Sequence, residues 1–341
     1  MARKTVLVTG VTGFLGGYVA EEFLAHGYDV RGTVRNADHP GVAELRDVAA
    51  RIGGRFDVAV TSLLEDSGWD AAADGVFAVA HVASPAPKQR PRDPASLIRP
   101  AVEGTRRVLG AAARAGVARV VVTSSVDAVR SGHDLRDGRV LDEETWSVVS
   151  RSEPYAQSKT LAELAAWEVA RDRDLELATL LPALVLGPIR RAETNVSVDV
   201  IRQLLAKELP ALPRLGFAPV DVRDVALAHR LAIEVPAAAG RRYILASDPI
   251  WLGDIARVLD EEFGARGFDI PRRALPSAIV KIGARFVPTL RLAMPLLDAP
   301  AATSSERARS ELEWTSRPAR EAIMATAESL IALGVVAPTE S

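Results

Sequence analysis

Residues 6–16 read Val6-Leu7-Val8-Thr9-Gly10-Val11-Thr12-Gly13-Phe14-Leu15-Gly16. A run of branched apolar side chains meets a glycine triplet. The triplet opens a stretch in which Leu15, Val19 and Phe23 recur at helical spacing up to Gly27. The pattern predicts a strand over Thr5–Thr9, a tight turn, and a helix over Phe14–Ala25. Each glycine has its own use. Gly10 permits the sharp turn out of the strand, Gly13 removes a side chain where a pyrophosphate must approach the backbone, and Gly16 lets helix pack closely on strand. The helix start then offers free N–H groups and a positive dipole end to phosphate. A glycine triplet alone means only a turn. Here the order of first strand, helix and second strand points to dinucleotide binding.

Working outward, the alternation continues. Tyr28–Val34, Phe56–Val60, Val76–Val82, Arg119–Thr123, Leu175–Leu181 and Arg241–Ala246 read as strands, and Val102–Ala115 as a helix. Strands separated by helices pair in parallel through right-handed crossovers, which predicts a doubly wound α/β sheet. Past Gly187-Pro188 proline becomes frequent and the strand signal thins. The expected division is a dinucleotide-binding domain over 1–187, with 218–247 returning to the sheet. A smaller, mainly helical substrate lobe is expected from 188–217 and 248–341.

The bulk properties narrow the function. The 341 residues are 48% apolar and 25% charged, with a formal net charge of −2 and no cysteine. Thiolate catalysis, disulfides and cysteine-ligated metals are therefore excluded. The charge gives no reason to expect nucleic acid or an anionic membrane as partner, and no apolar run is long enough to span a bilayer. A cytoplasmic location is expected. His26, His39, His81, His133 and His229 show no metal-ligand spacing, so no metal is expected. His81 lies on an apolar strand and reads as a core histidine. Trp146, Trp167, Trp251 and Trp314 read as packing anchors, and Phe217 and Phe286 as core more readily than as pocket lining. No G-x-S-x-G nucleophile elbow occurs.

The chemistry-bearing pattern lies in the middle of the chain. Tyr155-Ala156-Gln157-Ser158-Lys159 puts Tyr and Lys on one helix face, with Ser152 and Pro154 as plausible cap and first-turn residue. An ammonium beside a phenol favours the phenolate, so Lys159 is expected to lower the Tyr155 pKa. Tyr155 could then hand a proton to a carbonyl oxygen while hydride reaches carbon. Lys159 could also hold the nicotinamide ribose. Thirty residues upstream, Arg119–Thr123 is an apolar strand ending in Ser124 and Ser125. Such strand ends are where open α/β sheets build their sites. Ser125 could stabilise the carbonyl oxygen, and Ser124 competes for that role. The second strand ends Arg31-Gly32-Thr33-Val34-Arg35 with no acid for a ribose 2′-hydroxyl. Arg35, with Arg31 as second candidate, suits a 2′-phosphate instead, which selects NADPH/NADP+.

T-G-x-x-G-x-x-G (Thr9–Gly16), V-A-S-P (Val82–Pro85), V-E-G-T (Val102–Thr105), T-S-S (Thr123–Ser125), Y-x-x-x-K and L-P-A-L-V-L-G-P (Leu181–Pro188) form an ordered set over more than half the chain. Asp221-Val-Arg-Asp224 belongs with them. The set resembles the extended short-chain dehydrogenases/reductases, in particular the dihydroflavonol 4-reductase/cinnamoyl-CoA reductase-like group of aldehyde and ketone reductases. The resemblance implies a Rossmann-type fold and a catalytic trio of Ser125, Tyr155 and Lys159. It places Ala83, Ser84, Thr123, Pro182 and Leu184 along the cofactor, and the full set of expected cofactor contacts is these with Thr9, Gly10, Thr12, Gly13, Phe14, Leu15, Gly16, Arg35, Ser62, Leu63, Tyr155 and Lys159. Ser62-Leu63 stands where relatives carry an Asp-Leu pair at the adenine, and the lysine that often follows the strand-two Arg is missing from Asn36–Gly41. Asp127 is unusual at its position and either faces the pocket or caps a helix. Pro85, Val126 and Asp127 are the candidate substrate positions. The function expected is NADPH-dependent, reversible reduction of a hydrophobic aldehyde or ketone. Nucleotide-sugar epimerase/dehydratase chemistry and a non-catalytic NADP sensor are the alternatives. Either a monomer or a homodimer pairing through helices Pro94–Ala115 and Pro154–Ala170 is expected.

Overall fold

The structure, a computed structural model, describes residues 3–85, 93–286, 290 and 293–338. Strands β1 (Thr5–Thr9), β2 (Asp29–Val34), β3 (Phe56–Val60), β4 (Ala78–His81), β5 (Arg119–Thr123) and β6 (Leu177–Pro182) alternate with helices α1 (Phe14–Ala25), α2 (Pro40–Arg51), α3 (Trp69–Ala73), α4 (Ala95–Arg114), α5 (Asp127–Arg130) and α6 (Pro154–Asp172). There follow β7 (Leu184–Leu186), α7 (Val196–Leu205), β8 (Leu212–Pro213), β9 (Gly216–Phe217), β10 (Pro219–Asp221), α8 (Val222–Glu234) and β11 (Arg241–Leu245). The main sheet runs β3-β2-β1-β4-β5-β6-β11, with every neighbouring pair parallel. This is the Rossmann-type α/β arrangement. Chain order reverses between β1 and β4, and a crevice opens there at the strands' carboxyl ends.

Burial on both faces explains the unbroken apolar runs. In β1, Val6 and Val8 enter a core shared with α1 and α8, whereas Leu7 enters the opposite core with α3, α4 and α6. Each such fully buried side chain contributes roughly 1.5–3 kcal/mol. A further apolar cluster lies away from the sheet. Val198, Ile201 and Leu204 of α7 pack there with Ile255, Leu259 and Phe263 of helix Leu252–Phe263 and with Ile323 and Leu330 of helix Ala319–Ala332. Among the described residues no helix is long and apolar enough to cross a membrane.

Three details depart from expectation. Helix α4 starts at Ala95, well before Val102, and runs through Pro100. The single hydrogen bond that proline forgoes is outweighed by burial of Leu97 and Ala101. Only β11 of the returning segment joins the main sheet, because β10 pairs with β7 in a separate two-stranded ladder. The stretch expected in the smaller lobe also comes back. Ala308, Leu312 and Trp314 pack in the α1–α8 core, and the Trp314 indole donates to the Asp224 carbonyl at 2.8 Å.

Candidate active site

Gly10 adopts φ +69°, and a Cβ there would stand 3.1 Å from Cα and Cβ of Ala83. At Gly16 a Cβ would lie 2.2 Å from the Gly10 carbonyl oxygen, so no side chain fits. Gly13 is the N-cap of α1 and gives it no side-chain cap. The leading N–H groups, Phe14 and Leu15 among them, are thus left for a ligand. This bare, donor-rich cradle fits a dinucleotide pyrophosphate.

A buried relay fixes β4 against the turn. The Thr9 hydroxyl accepts from the Val82 and Ala83 N–H groups at 3.0 and 2.9 Å. Its proton therefore goes to His81 Nδ1 at 2.9 Å. His81 is left with its proton on Nε2, which points at the Thr105 hydroxyl 3.5 Å away. Thr105 spends its own proton on the Ala101 carbonyl. Burial, with the Lys159 charge adding to it, pushes the His81 pKa down to about 3, so the ring is neutral. The V-E-G-T motif is thereby explained. Thr105 anchors the histidine, and a Cβ at Gly104 would lie 2.8 Å from Cβ of Leu63.

At the end of β2, Arg35 is exposed and makes no ion pair or hydrogen bond among the described residues. Arg31 points elsewhere: its Nη1 donates to the carbonyls of Ala71, Ala72 and Asp74 at the end of α3. It is a helix-end cap and drops out as the second 2′-phosphate candidate. Ser62 and Leu63 follow β3. The Ser62 hydroxyl accepts from the Leu64 N–H, and Leu63 packs under Gly104. Ala83 lies against Gly10, with Ser84 and Pro85 half-buried after it.

Helix α6 begins with Pro154 after Glu153, which takes the N-cap position that Ser152 was expected to fill. The Ser152 hydroxyl donates instead to the Val148 carbonyl. Tyr155 is 38% exposed, whereas Lys159 and Ser125 are 7% exposed. Lys159 Nζ donates to the Thr123 carbonyl at 3.3 Å. The Thr123 hydroxyl in turn bonds Nε2 of buried His229 at 2.7 Å, while His229 Nδ1 donates to the Val225 carbonyl. His229 is therefore neutral too, its pKa pushed down to about 4 by burial.

The two serines separate cleanly. Ser124 donates to Glu163 at 2.5 Å, and Glu163 also accepts from Thr179 and from Nε of Arg242. Ser124 is thus spent on a buried network between sheet and α6. The Ser125 hydroxyl accepts from the Asp127 N–H at 3.1 Å, which leaves its proton available, and it reaches the Tyr155 phenol. Burial draws the Lys159 ammonium down to about 8 against the opposing charges of Glu163 and Asp127. For Tyr155 the expected direction is reversed. Burial and the Asp127 carboxylate raise the phenol above its ordinary value, outweighing the Ser125 hydrogen bond and the Arg130 charge.

Asp127 caps no helix with its side chain. It pairs with Nε of Arg130 at 2.8 Å, half-buried beside Tyr155. Val126 is 3% exposed, and its N–H donates to the Pro182 carbonyl, so it stiffens the wall more than it lines open space. The Leu184 N–H is taken by the Ala218 carbonyl. Phe217 is buried in the α7 cluster, whereas Phe286 is 80% exposed. Sequence reasoning missed Glu163, Arg242 and His229. One signal was present: Tyr155, Lys159 and Glu163 recur every four residues along one helix face.

Residues 6–246 match the NAD dependent epimerase/dehydratase family. The chain is 38% identical over 268 residues to cinnamoyl-CoA reductase 1 of Arabidopsis thaliana, covering 77% of this chain and 76% of that protein. It is 37% identical over 267 residues to cinnamoyl-CoA reductase 1 of Petunia hybrida, covering 77% and 78%. The solved yeast methylglyoxal/isovaleraldehyde reductase complexed with NADPH matches with a TM-score of 0.81 and 25% identity, over 97% of this chain and 100% of that one. Glycine cradle, Tyr–Lys helix and these likenesses agree, and the chain belongs to the NAD dependent epimerase/dehydratase family, the extended branch of the short-chain dehydrogenases/reductases.

Proposed function

We propose that this protein is an NADPH-dependent oxidoreductase that reversibly reduces a hydrophobic aldehyde or ketone to the alcohol. The observation that carries the reading is the convergence of Ser125, Tyr155 and Lys159 at the carboxyl end of β5. Bound NADPH supplies the hydride, from C4 of the nicotinamide. The protein supplies the rest. Phe14 and Leu15 N–H groups hold the pyrophosphate, and Arg35 takes the 2′-phosphate. Ser125 donates to the substrate carbonyl oxygen. Tyr155, kept protonated by burial and by Asp127, gives that oxygen its proton as the carbon accepts hydride. Lys159, fixed by the Thr123 carbonyl, orients the nicotinamide ribose and restores charge balance near the phenol. Burial of Ser125 and Lys159 holds both side chains in place beneath the more open Tyr155.

The likeness to cinnamoyl-CoA and aldehyde reductases supports carbonyl reduction over sugar epimerisation. So does the free Arg35 where an NAD-retaining epimerase would need an acid. We place the apolar cluster around α7, away from the sheet, as the substrate lobe, and the protein in the cytoplasm, as a monomer or as a dimer through α4 and α6. The test is NADPH consumption against a panel of aromatic and aliphatic aldehydes, ketones and keto esters, with Tyr155→Phe alongside. Turnover lost in the variant is expected. Turnover retained, or none with any carbonyl, rejects the reading.

A further inference from the structure

Gly41, the second residue of α2, has no backbone need to be glycine, since its φ is not positive. Glycine is a poor helix residue compared with alanine. A Cβ at this position would stand 2.8 Å from Nη1 of Arg191, 3.2 Å from its Cζ and 3.3 Å from Nη2. The glycine makes room for a guanidinium that arrives from the segment after β7. That guanidinium bridges two parts of the cofactor cleft. Nη1 donates to Glu44 of α2 and Nη2 to the Thr12 carbonyl of the glycine turn, both at 2.7 Å. A guanidinium carries five N–H donors, and those left over have no partner among the described residues. A cavity of about 170 Å³ opens beside it, lined by Thr12, Gly13, Phe14 and Thr194 as well as Arg191. The neighbouring Arg190 is engaged elsewhere, paired with Glu21 and stacked on Tyr18.

The position has a chemical meaning. In this fold the adenosine ribose 2′ position lies at the end of the second strand. Arg35 stands there, and α2, under the Arg191 guanidinium, is the next element of the chain. We infer that Arg191 is a second cation for the adenosine 2′-phosphate, closing on it from the segment after β7 while Arg35 holds it from β2. This rests on the NADPH reading above. Glu44 and the Thr12 carbonyl hold the guanidinium in place, and Gly41 keeps its position open.

The test is the dissociation constant of NADPH and of NADH, by titration calorimetry, for the wild type, Arg191→Ala and Gly41→Ala. Loss of a charge-assisted phosphate contact should weaken NADPH by at least about 10-fold, with NADH changed by less than about 2-fold. Gly41→Ala keeps the arginine but displaces it. It should weaken NADPH selectively without lowering the melting temperature, because alanine favours the helix. NADPH affinity unchanged in both variants, or NADPH and NADH weakened equally, overturns the inference while leaving the proposed function standing. A wild type that binds no NADPH removes both.

Discussion

Adjacent serines at the end of β5 serve different partners. Ser124 donates to the buried Glu163 carboxylate, and Ser125 turns its proton towards the Tyr155 phenol. Ser124→Ala should lower stability by about 1–3 kcal/mol, the worth of a buried hydrogen bond to a charged group, with kcat largely retained. Ser125→Ala should do the reverse. Urea melts beside steady-state kinetics would separate them, and a loss of kcat in both variants would refute the division. Tyr155→Phe should reduce kcat by about 10²–10⁴ with NADPH affinity held within about 2-fold. Asp127 gives the site a pH signature. Its carboxylate raises both Tyr155 and Lys159, so Asp127→Asn lowers both. With Tyr155 as the proposed proton donor, reduction needs the protonated phenol, and its alkaline limb should therefore move to lower pH in the variant. An unmoved limb would show that Asp127 does not act on the phenol.

At the scale of elements, α6 presents the site residues and, one turn further along the same face, a charged anchor. Glu163, fully buried, meets Arg242 of β11 at 2.7 Å, and Arg242 also donates to the Glu143 and Thr145 carbonyls and stacks on Trp146. The pair ties α6, β11 and the loop before α6 into one unit beneath Ser124. Arg242→Met should destabilise by about 3–5 kcal/mol, because Glu163 is left buried and uncompensated. Adding Glu163→Gln should recover part of the loss. A double variant no more stable than the single one would mean that the arginine acts through packing alone. This network was hard to read in the sequence, since Arg242 is the second of two arginines at the start of β11 and its partner lies 79 positions away.

For the whole molecule, the buried neutral histidines set a response to acid. His81 and His229 titrate at about 3 and about 4 in the folded chain, below the ordinary 6.5. As pH falls through 6.5 the unfolded chain takes up protons that the folded chain refuses. The histidine contribution to stability is therefore complete above about pH 6.5 and declines as pH drops towards 4. Glu143 and Asp224, raised by burial, act in the opposite sense, so the histidine contribution is best read as a difference. His229→Gln should show a shallower fall in denaturation midpoint between pH 7 and 4.5 than the wild type. Equal slopes would reject the assignment.

What the sequence by itself determined is local or periodic. The turn chemistry of Gly10, Gly13 and Gly16, the β1 and α1 boundaries, the parallel sheet and the four-residue spacing of Tyr155 and Lys159 all depend on neighbours within one or two turns of chain. Tertiary structure alone decided which serine faces the phenol, that Arg31 serves α3 and not the cofactor, and that burial and Asp127 set the Tyr155 pKa. It also decided that residues 306–314 return to the first core and that Arg191 crosses to α2. In each case the deciding partner lies tens of residues away or the deciding force is burial. Neither leaves a periodic trace in the chain, because a hydrogen bond or a desolvated charge depends on distance in space and not on separation in sequence.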